Sequence, residues 1–151
     1  MKNTVELAFP DFTKPFYLHT DASDRAVGAT LSQYDNASNL RLLSCMSHKM
    51  NPAEAGYSAH ERELLALICA LGHWRHYLLG HHTHVLTDNA PLRWLQTQTN
   101  LSQRQARWVT TIAHYDIDVQ HIPGATNTAA DAISRIYQNI LRPRPGSTGR
   151  C

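Results

Sequence analysis

Apolar residues recur along the chain in two rhythms, and the change from one to the other sets the expected architecture. Phe16-Tyr17-Leu18-His19-Thr20-Asp21-Ala22 reads as an apolar strand that ends at Asp21, and Tyr115 to Ile122 alternates with a period of two. Ala26 to Gln33 and Arg41 to Ser47 read as further strands, separated by the turn formers Asp35-Asn36-Ala37-Ser38-Asn39. Three strands joined by short turns predict an antiparallel meander. The period then lengthens: Leu64, Leu67, Ile68, Leu71 and Leu78 stand at helical spacing. Two starts compete for this helix. Asn51 can cap with Pro52 at the first helical position, or Ser58 can cap with Glu61 three residues on. The pattern predicts a helix over Ser58–Leu79, stopped by Gly80. Ala66 and Ala70 lie on Glu63's side of it, where small residues permit close approach to a sheet.

The second half mixes the two rhythms. Thr83 to Thr87 reads as a fourth strand and Pro91 to Gln96 as a short helix. Ser102 caps a longer helix reaching Ala113, and Tyr115 to Ile122 reads as a fifth strand. Pro123-Gly124 turns the chain into a last helix from about Asn127 to Tyr137. The expected fold class is therefore α/β: a five-stranded mixed sheet, three antiparallel strands then two parallel additions, flanked by helices. Residues 1–15, broken by Pro10 and Pro15, form a lead-in, residues 16–138 a single domain, and residues 139–151 a disordered basic tail.

Composition narrows the partners. At 151 residues and 42% hydrophobic content the chain can build a proper core. A net charge of +2 is too small to imply a broad basic face, so any nucleic-acid surface must be local. The N-terminus lacks a secretory pattern, and no apolar run reaches the roughly 20 residues of a membrane span, so no membrane partner is expected. Cys45 and Cys69 sit in apolar runs and read as small core residues, which suits a reducing intracellular setting. His73, His76, His81, His82 and His84 lack a paired cysteine set or an HExxH motif, and read as surface residues near a helix end rather than as zinc ligands.

Four carboxylates carry the candidate chemistry. Asp21 ends the first strand, Glu63 lies in the first turns of the long helix, Asp88 follows the fourth strand in Leu86-Thr87-Asp88-Asn89, and Asp131 opens the last helix. Sites in α/β sheets gather at the carboxyl ends of parallel strands. If strands one and four are parallel neighbours, Asp21 and Asp88 converge there, with Glu63 and Asp131 closing the cluster. Four such carboxylates repel one another unless hard divalent cations sit among them, and two such ions side by side can cut a phosphodiester.

These segments, taken in order, resemble the ribonuclease H domain of reverse transcriptases from long-terminal-repeat retrotransposons of the Ty3/gypsy type. The likeness covers about residues 5–137 and rests on several stretches. Phe9-Pro10-Asp11-Phe12-Thr13-Lys14-Pro15-Phe16 is similar to the segment joining polymerase to nuclease, and Thr20-Asp21-Ala22-Ser23 with Val27-Gly28-Ala29 to the family's first strands. Tyr57-Ser58, Glu61, Glu63-Leu64-Leu65-Ala66 and His73-Trp74-Arg75-His76-Tyr77-Leu78-Leu79-Gly80 resemble its long helix. Thr87-Asp88-Asn89-Ala90-Pro91-Leu92, then Pro123-Gly124 through Asn127, Ala130-Asp131 and Ser134-Arg135, complete the set.

The resemblance implies hydrolysis of the RNA strand of an RNA:DNA hybrid with two Mg²⁺ ions, or Mn²⁺. It assigns catalysis and metal binding to Asp21, Glu63, Asp88 and Asp131. It also implies a polymerase domain as partner, absent from this chain, and an intracellular place in cytoplasm, virus-like particle or nucleus. Arg93, Trp94, Arg104 and Arg107 lie in the stretch that borders the substrate groove in this family, and are candidate hybrid contacts; Trp94 and Trp108 have core packing as the competing role. One departure stands out. Many cellular and retroviral relatives carry a histidine in the loop before the last helix, whereas Ile122-Pro123-Gly124-Ala125-Thr126 has none and His121 ends the strand; the Ty3/gypsy pattern commonly lacks it too.

Two rivals remain open. One is an inactive domain kept for binding nucleic acid or a polymerase, although no metal-site acid is missing. The other is a transposase or integrase nuclease, whose last acid is a Glu after the second Asp, not between the first two as here. An aspartic protease lacks its Asp-Ser/Thr-Gly motif in this chain, and no phosphate-loop or dinucleotide fingerprint occurs. Residues 141–151 show no apolar periodicity, so their deletion should leave the thermal midpoint unchanged within about 1 °C. A melt of the truncated chain checks this, and a clear drop would mean that the tail packs.

Overall fold

The computed structural model describes residues 7–87 and 91–121. Five strands form one sheet: β1 (Phe16–Ala22), β2 (Ala26–Tyr34), β3 (Leu40–Lys49), β4 (Thr83–Thr87) and β5 (Ile117–His121), in the order β3-β2-β1-β4-β5. β1 runs antiparallel to β2 and β2 to β3, while β4 is parallel to both β1 and β5. The mixed sheet expected from the sequence is the one formed. β1 is its central strand, set by Tyr17↔Ser32 and Asp21↔Gly28 on one side and Phe16↔Thr83 and His19↔Leu86 on the other. Asp35 organises the β2–β3 turn, its Oδ1 accepting the amides of Ala37 and Asn39 at 2.9 Å each.

Both competing helix starts are used. Asn51 caps a single turn, α1 (Pro52–Ala55), with a full capping box to Glu54. Ser58 then caps α2 (Ala59–His73), its Oγ accepting the Glu61 amide at 3.3 Å. The capping box expected at Ser58 is only half formed, because the Glu61 carboxylate is committed to Arg104 instead.

The single helix expected over Ser58–Leu79 is also broken. α2 stops at His73, Trp74 takes φ −107° and ψ 26°, and α3 (Arg75–Leu78) is a separate turn. The periodicity could not show this, since Leu71, Trp74 and Leu78 keep helical spacing and all three are buried. Gly72, at about 1 kcal/mol below alanine in helix propensity, weakens the helix just before the break. Gly80 still turns the chain, at φ +82°, where an L side chain is strained.

α2 packs on β1 and β2, and more lightly on β3. Leu64, Leu67 and Leu71 are at most 1% exposed, as are Ala66 and Ala70, and they meet Phe16, Leu18, Ala29 and Leu31 from the sheet. Each buried leucine contributes about 1.5–3 kcal/mol, and the alanines allow the close approach. Cys69 belongs to this core, but Cys45 is only half-buried, a departure from the core role expected of it. α4 (Pro91–Thr97) packs against α2, and so does α5 (Gln103–Ala113), which Ser102 caps in a full box with Gln105. The expected last helix over 127–137 and the tail lie outside the described residues.

The lead-in is tied to the sheet. Ala8 donates its amide to Leu42 O at 2.8 Å, and the buried Gln33 amide joins the Asp11 backbone in both directions, at 2.8 and 2.7 Å. Among the described helices none is long and apolar enough to cross a membrane. Leu67→Ala should lower stability by about 2–5 kcal/mol, since it empties the α2–sheet contact. Urea unfolding checks this, and a loss under 1 kcal/mol would show that the contact is not the centre of the core.

Candidate active site

Strand alternation decides which β1 side chains reach the core. Phe16, Leu18 and Thr20 are buried beneath α2, while Tyr17 and His19 are half-buried and Asp21 is exposed. Asp21 therefore stands at the carboxyl end of the central strand, beside a glycine, Gly28, on β2. Ser23 closes the turn that follows, its amide and hydroxyl both donating to Ala26 O at 2.8 and 3.0 Å.

Glu63 is half-buried in the second turn of α2. Its neighbour Arg62 reaches Asp24 in the β1–β2 turn, at 3.8 Å. With Asp24 94% exposed this pair adds little energy, but it fixes the place: the start of α2 lies over the end of β1 that carries Asp21. The Met50 amide, donating to Arg25 O at 2.9 Å, holds the same end of the sheet. β4 runs parallel to β1 on its other side, and Thr87 is its buried last residue. Asp88, next in sequence, lies outside the described residues, as does Asp131, so the structure places two of the four expected acids.

Glu61 is separated from Glu63 in role. Its carboxylate pairs with Arg104 on α5, whose guanidinium lies 4.0 Å from the centre of the Tyr57 ring and 5.7 Å from that of Trp108. The Glu61 hydrogen bond raises the Arg104 pKa further above its ordinary value. Trp94 is half-buried and stacks on His60 with ring centres 4.8 Å apart and planes at 7°. Arg93 and Arg107 are exposed. Of the four residues expected to meet nucleic acid, Arg104 is thus engaged within the protein, and Trp94 is shared between packing and a ring stack.

Sequence reasoning missed four arrangements: Arg62–Asp24, Glu61–Arg104, His60–Trp94, and a group made by His82, His84 and Asp118. That group brings one ligand atom from each residue within 4.8 Å of the others. It stands where β4 and β5 begin, at the opposite end of the parallel strands from Thr87 and Asp21. No local motif announces it, because the aspartate comes from the next strand.

The architecture is that of the ribonuclease H-like fold. The foamy viral protease–reverse transcriptase, solved in complex with RNA/DNA hybrid, shares it at a TM-score of 0.62 and 17% identity, over 82% of this chain and 17% of that one. LC11-RNase H1 in complex with RNA/DNA hybrid shares it at 0.53 and 19%, over 78% and 91%. Residues 11–115 match the RNase H-like domain found in reverse transcriptase. The retrovirus-related Pol polyprotein from transposon 297 of Drosophila melanogaster is 42% identical over 130 residues, 86% of this chain and 12% of that polyprotein. The polyprotein from transposon gypsy of the same organism is 38% identical over 144 residues, 95% of this chain and 13% of its own length. The chain belongs to the RNase H-like domain family of reverse transcriptases, in its Ty3/gypsy-type retrotransposon branch, and it spans about an eighth of the length of these curated relatives.

Arg104→Ala should lower stability by about 1 kcal/mol, since it removes a partly exposed ion pair and a cation–π contact. Chemical denaturation checks the value. Unchanged stability would mean that solvent replaces both contacts fully.

Proposed function

We propose that this domain hydrolyses the RNA strand of RNA:DNA hybrids, with Asp21, Glu63, Asp88 and Asp131 holding two Mg²⁺ ions, or Mn²⁺. The observation that carries this reading is the meeting of three elements at one end of the sheet. Asp21 ends β1, β4 runs parallel beside it up to the residue before Asp88, and α2 sets Glu63 over the same end through Arg62 and Asp24. The donors fit the ions, since carboxylate oxygens are what hard divalent cations take. When bound, such ions activate the attacking water and stabilise the leaving 3′ oxygen.

The chain's own residues do the rest. Asp21, at the end of the central strand, would hold the ions together with Glu63, Asp88 and Asp131. Glu63 is fixed by the buried stripe of α2 on either side of it. The exposed Arg93 and Arg107 meet phosphates, while Trp94 and Arg104 shape the wall behind them. Recognition is by shape and 2′-hydroxyls rather than by base identity. The polymerase part of a Pol polyprotein is the proposed partner, with the lead-in over residues 1–15 as the joining segment, residues 16–138 as the nuclease unit and 139–151 as a basic tail.

Asp21→Asn keeps the shape and removes one charge, so cleavage of a labelled hybrid should fall at least a hundredfold while the fold is retained. Glu61→Gln should keep kcat within about threefold, because that carboxylate is turned to Arg104. Full activity in Asp21→Asn, or equal loss in both variants, would overturn the assignment. Hybrid binding without cleavage in the unaltered protein, at saturating Mg²⁺ or Mn²⁺, would favour the inactive binding domain.

A further inference from the structure

The group at the other end of β4 is independent of the carboxylate site. His82 and His84 are two apart on an extended chain, so both rings lie on the sheet face away from α2. The rings are 4.6 Å apart and nearly perpendicular, at 85°. Asp118 is the register partner of His84 on β5, and its Oδ2 lies 3.3 Å from His84 Nδ1. Tyr17, the register partner of His84 on β1, stacks on the opposite side of that ring, with centres 4.9 Å apart. His84 is thereby oriented by three strands, and its side chain is only 19% exposed.

Two further residues complete the surroundings. Asp116 Oδ2 lies 3.1 Å from His82 Nδ1, so a carboxylate can hold that ring from Nδ1 and leave Nε2 as its ligand atom. Gln120 Nε2 lies 3.1 Å from His84 Nδ1 and 3.3 Å from Asp118 Oδ2. One neutral amide is thus set against two lone-pair atoms that converge on it. Two imidazoles and one carboxylate are a donor set for borderline transition metals, while Mg²⁺ and Ca²⁺ prefer oxygen alone.

We propose that His82, His84 and Asp118 form a surface binding site for a borderline divalent metal of the Zn²⁺ class, which staples β4 to β5. Ligand atoms around tetrahedral zinc stand about 3.4 Å apart, given bonds of about 2.0–2.1 Å. The ligand atoms of the three residues already lie within 4.8 Å of one another, and those of His84 and Asp118 within 3.3 Å. A solvent molecule takes the fourth position, since Asp118 and His82 are on the exposed side. Binding to the folded chain alone raises its stability, and the gain falls on a strand pair at the edge of the described sheet.

The test uses the full 151-residue chain stripped with chelator, titrated with Zn²⁺ alone by calorimetry and followed by thermal melts, with Mg²⁺ as the parallel arm. One Zn²⁺ per chain should bind at micromolar affinity or tighter and raise the melting midpoint. Mg²⁺ should reproduce neither result at the same concentration. His84→Ala and Asp118→Asn should each weaken Zn²⁺ at least tenfold, and His84→Gln, which keeps the ring face of Tyr17 covered, should do the same if the alanine variant folds poorly. Asp21→Asn should leave this event unchanged, which separates it from zinc held at the carboxylate site. The proposal fails if the unaltered chain shows no Zn²⁺ binding, or if the His82→Ala/His84→Ala double variant binds as well as the parent. It fails equally if Asp21→Asn abolishes the event, and the two His–Asp contacts are then cross-strand hydrogen bonds and nothing more.

Discussion

The burial of α2 against β1 and β2 is the contact from which the rest of the structure takes its position. Leucines at 64, 67 and 71 remove a continuous apolar stripe from water, and alanines at 66 and 70 let the helix lie close to the sheet. That closeness has two consequences. It covers one face of the central strand, so Phe16, Leu18 and Thr20 are buried while Tyr17, His19 and Asp21 are less covered. It also fixes the height of the helix start relative to the strand ends, which is how Glu63 comes to the level of the β1–β2 turn. A helix held by polar contacts alone could slide; one held by interdigitated leucines cannot do so without opening cavities.

Parallel pairing of β1, β4 and β5 gives the sheet two chemically different ends. At the carboxyl ends the chain offers oxygen donors, with Asp21 present and Asp88 following Thr87 in sequence. At the amino ends it offers nitrogen and mixed donors, with His82, His84 and Asp118 side by side. Hard cations suit the first and borderline cations the second. β4 is five residues long and rises about 3.3 Å per residue, so groups at its two ends stand well apart.

Around α2 the acids divide by the direction of their side chains. Glu61 and Glu63 are two residues apart and so project about 200° apart around the helix. Glu61 meets Arg104 and, through it, the rings of Tyr57 and Trp108. That ion pair joins α5 to the start of α2, close to where Arg62 approaches Asp24 in the β1–β2 turn. Arg104, a candidate phosphate contact from sequence, is drawn into the scaffold by the same pairing, which leaves Arg93 and Arg107 as the exposed cations of that region.

Local periodicity carried most of the fold. The apolar runs at Phe16–Ala22 and Thr83–Thr87 marked β1 and β4 at their observed bounds, and the caps Asn51, Ser58 and Ser102 marked helix starts that all occur. Such signals are legible because a strand or a helix repeats its environment over a few neighbouring residues. The positions of Asp21 at a strand end and of Glu63 near a helix start were legible for a related reason: each stands in a short stretch whose neighbours fix its element. What the sequence could not determine is whatever depends on residues far apart in the chain. The break at Trp74 keeps helical spacing on both sides, so periodicity is blind to it. The Glu61–Arg104 pair joins residues 43 apart, and the His84–Asp118 pair joins residues 34 apart. Only pairing of the strands and packing of the helices decides which side chains meet across such distances, because their register is set by burial in the core and not by anything adjacent in sequence.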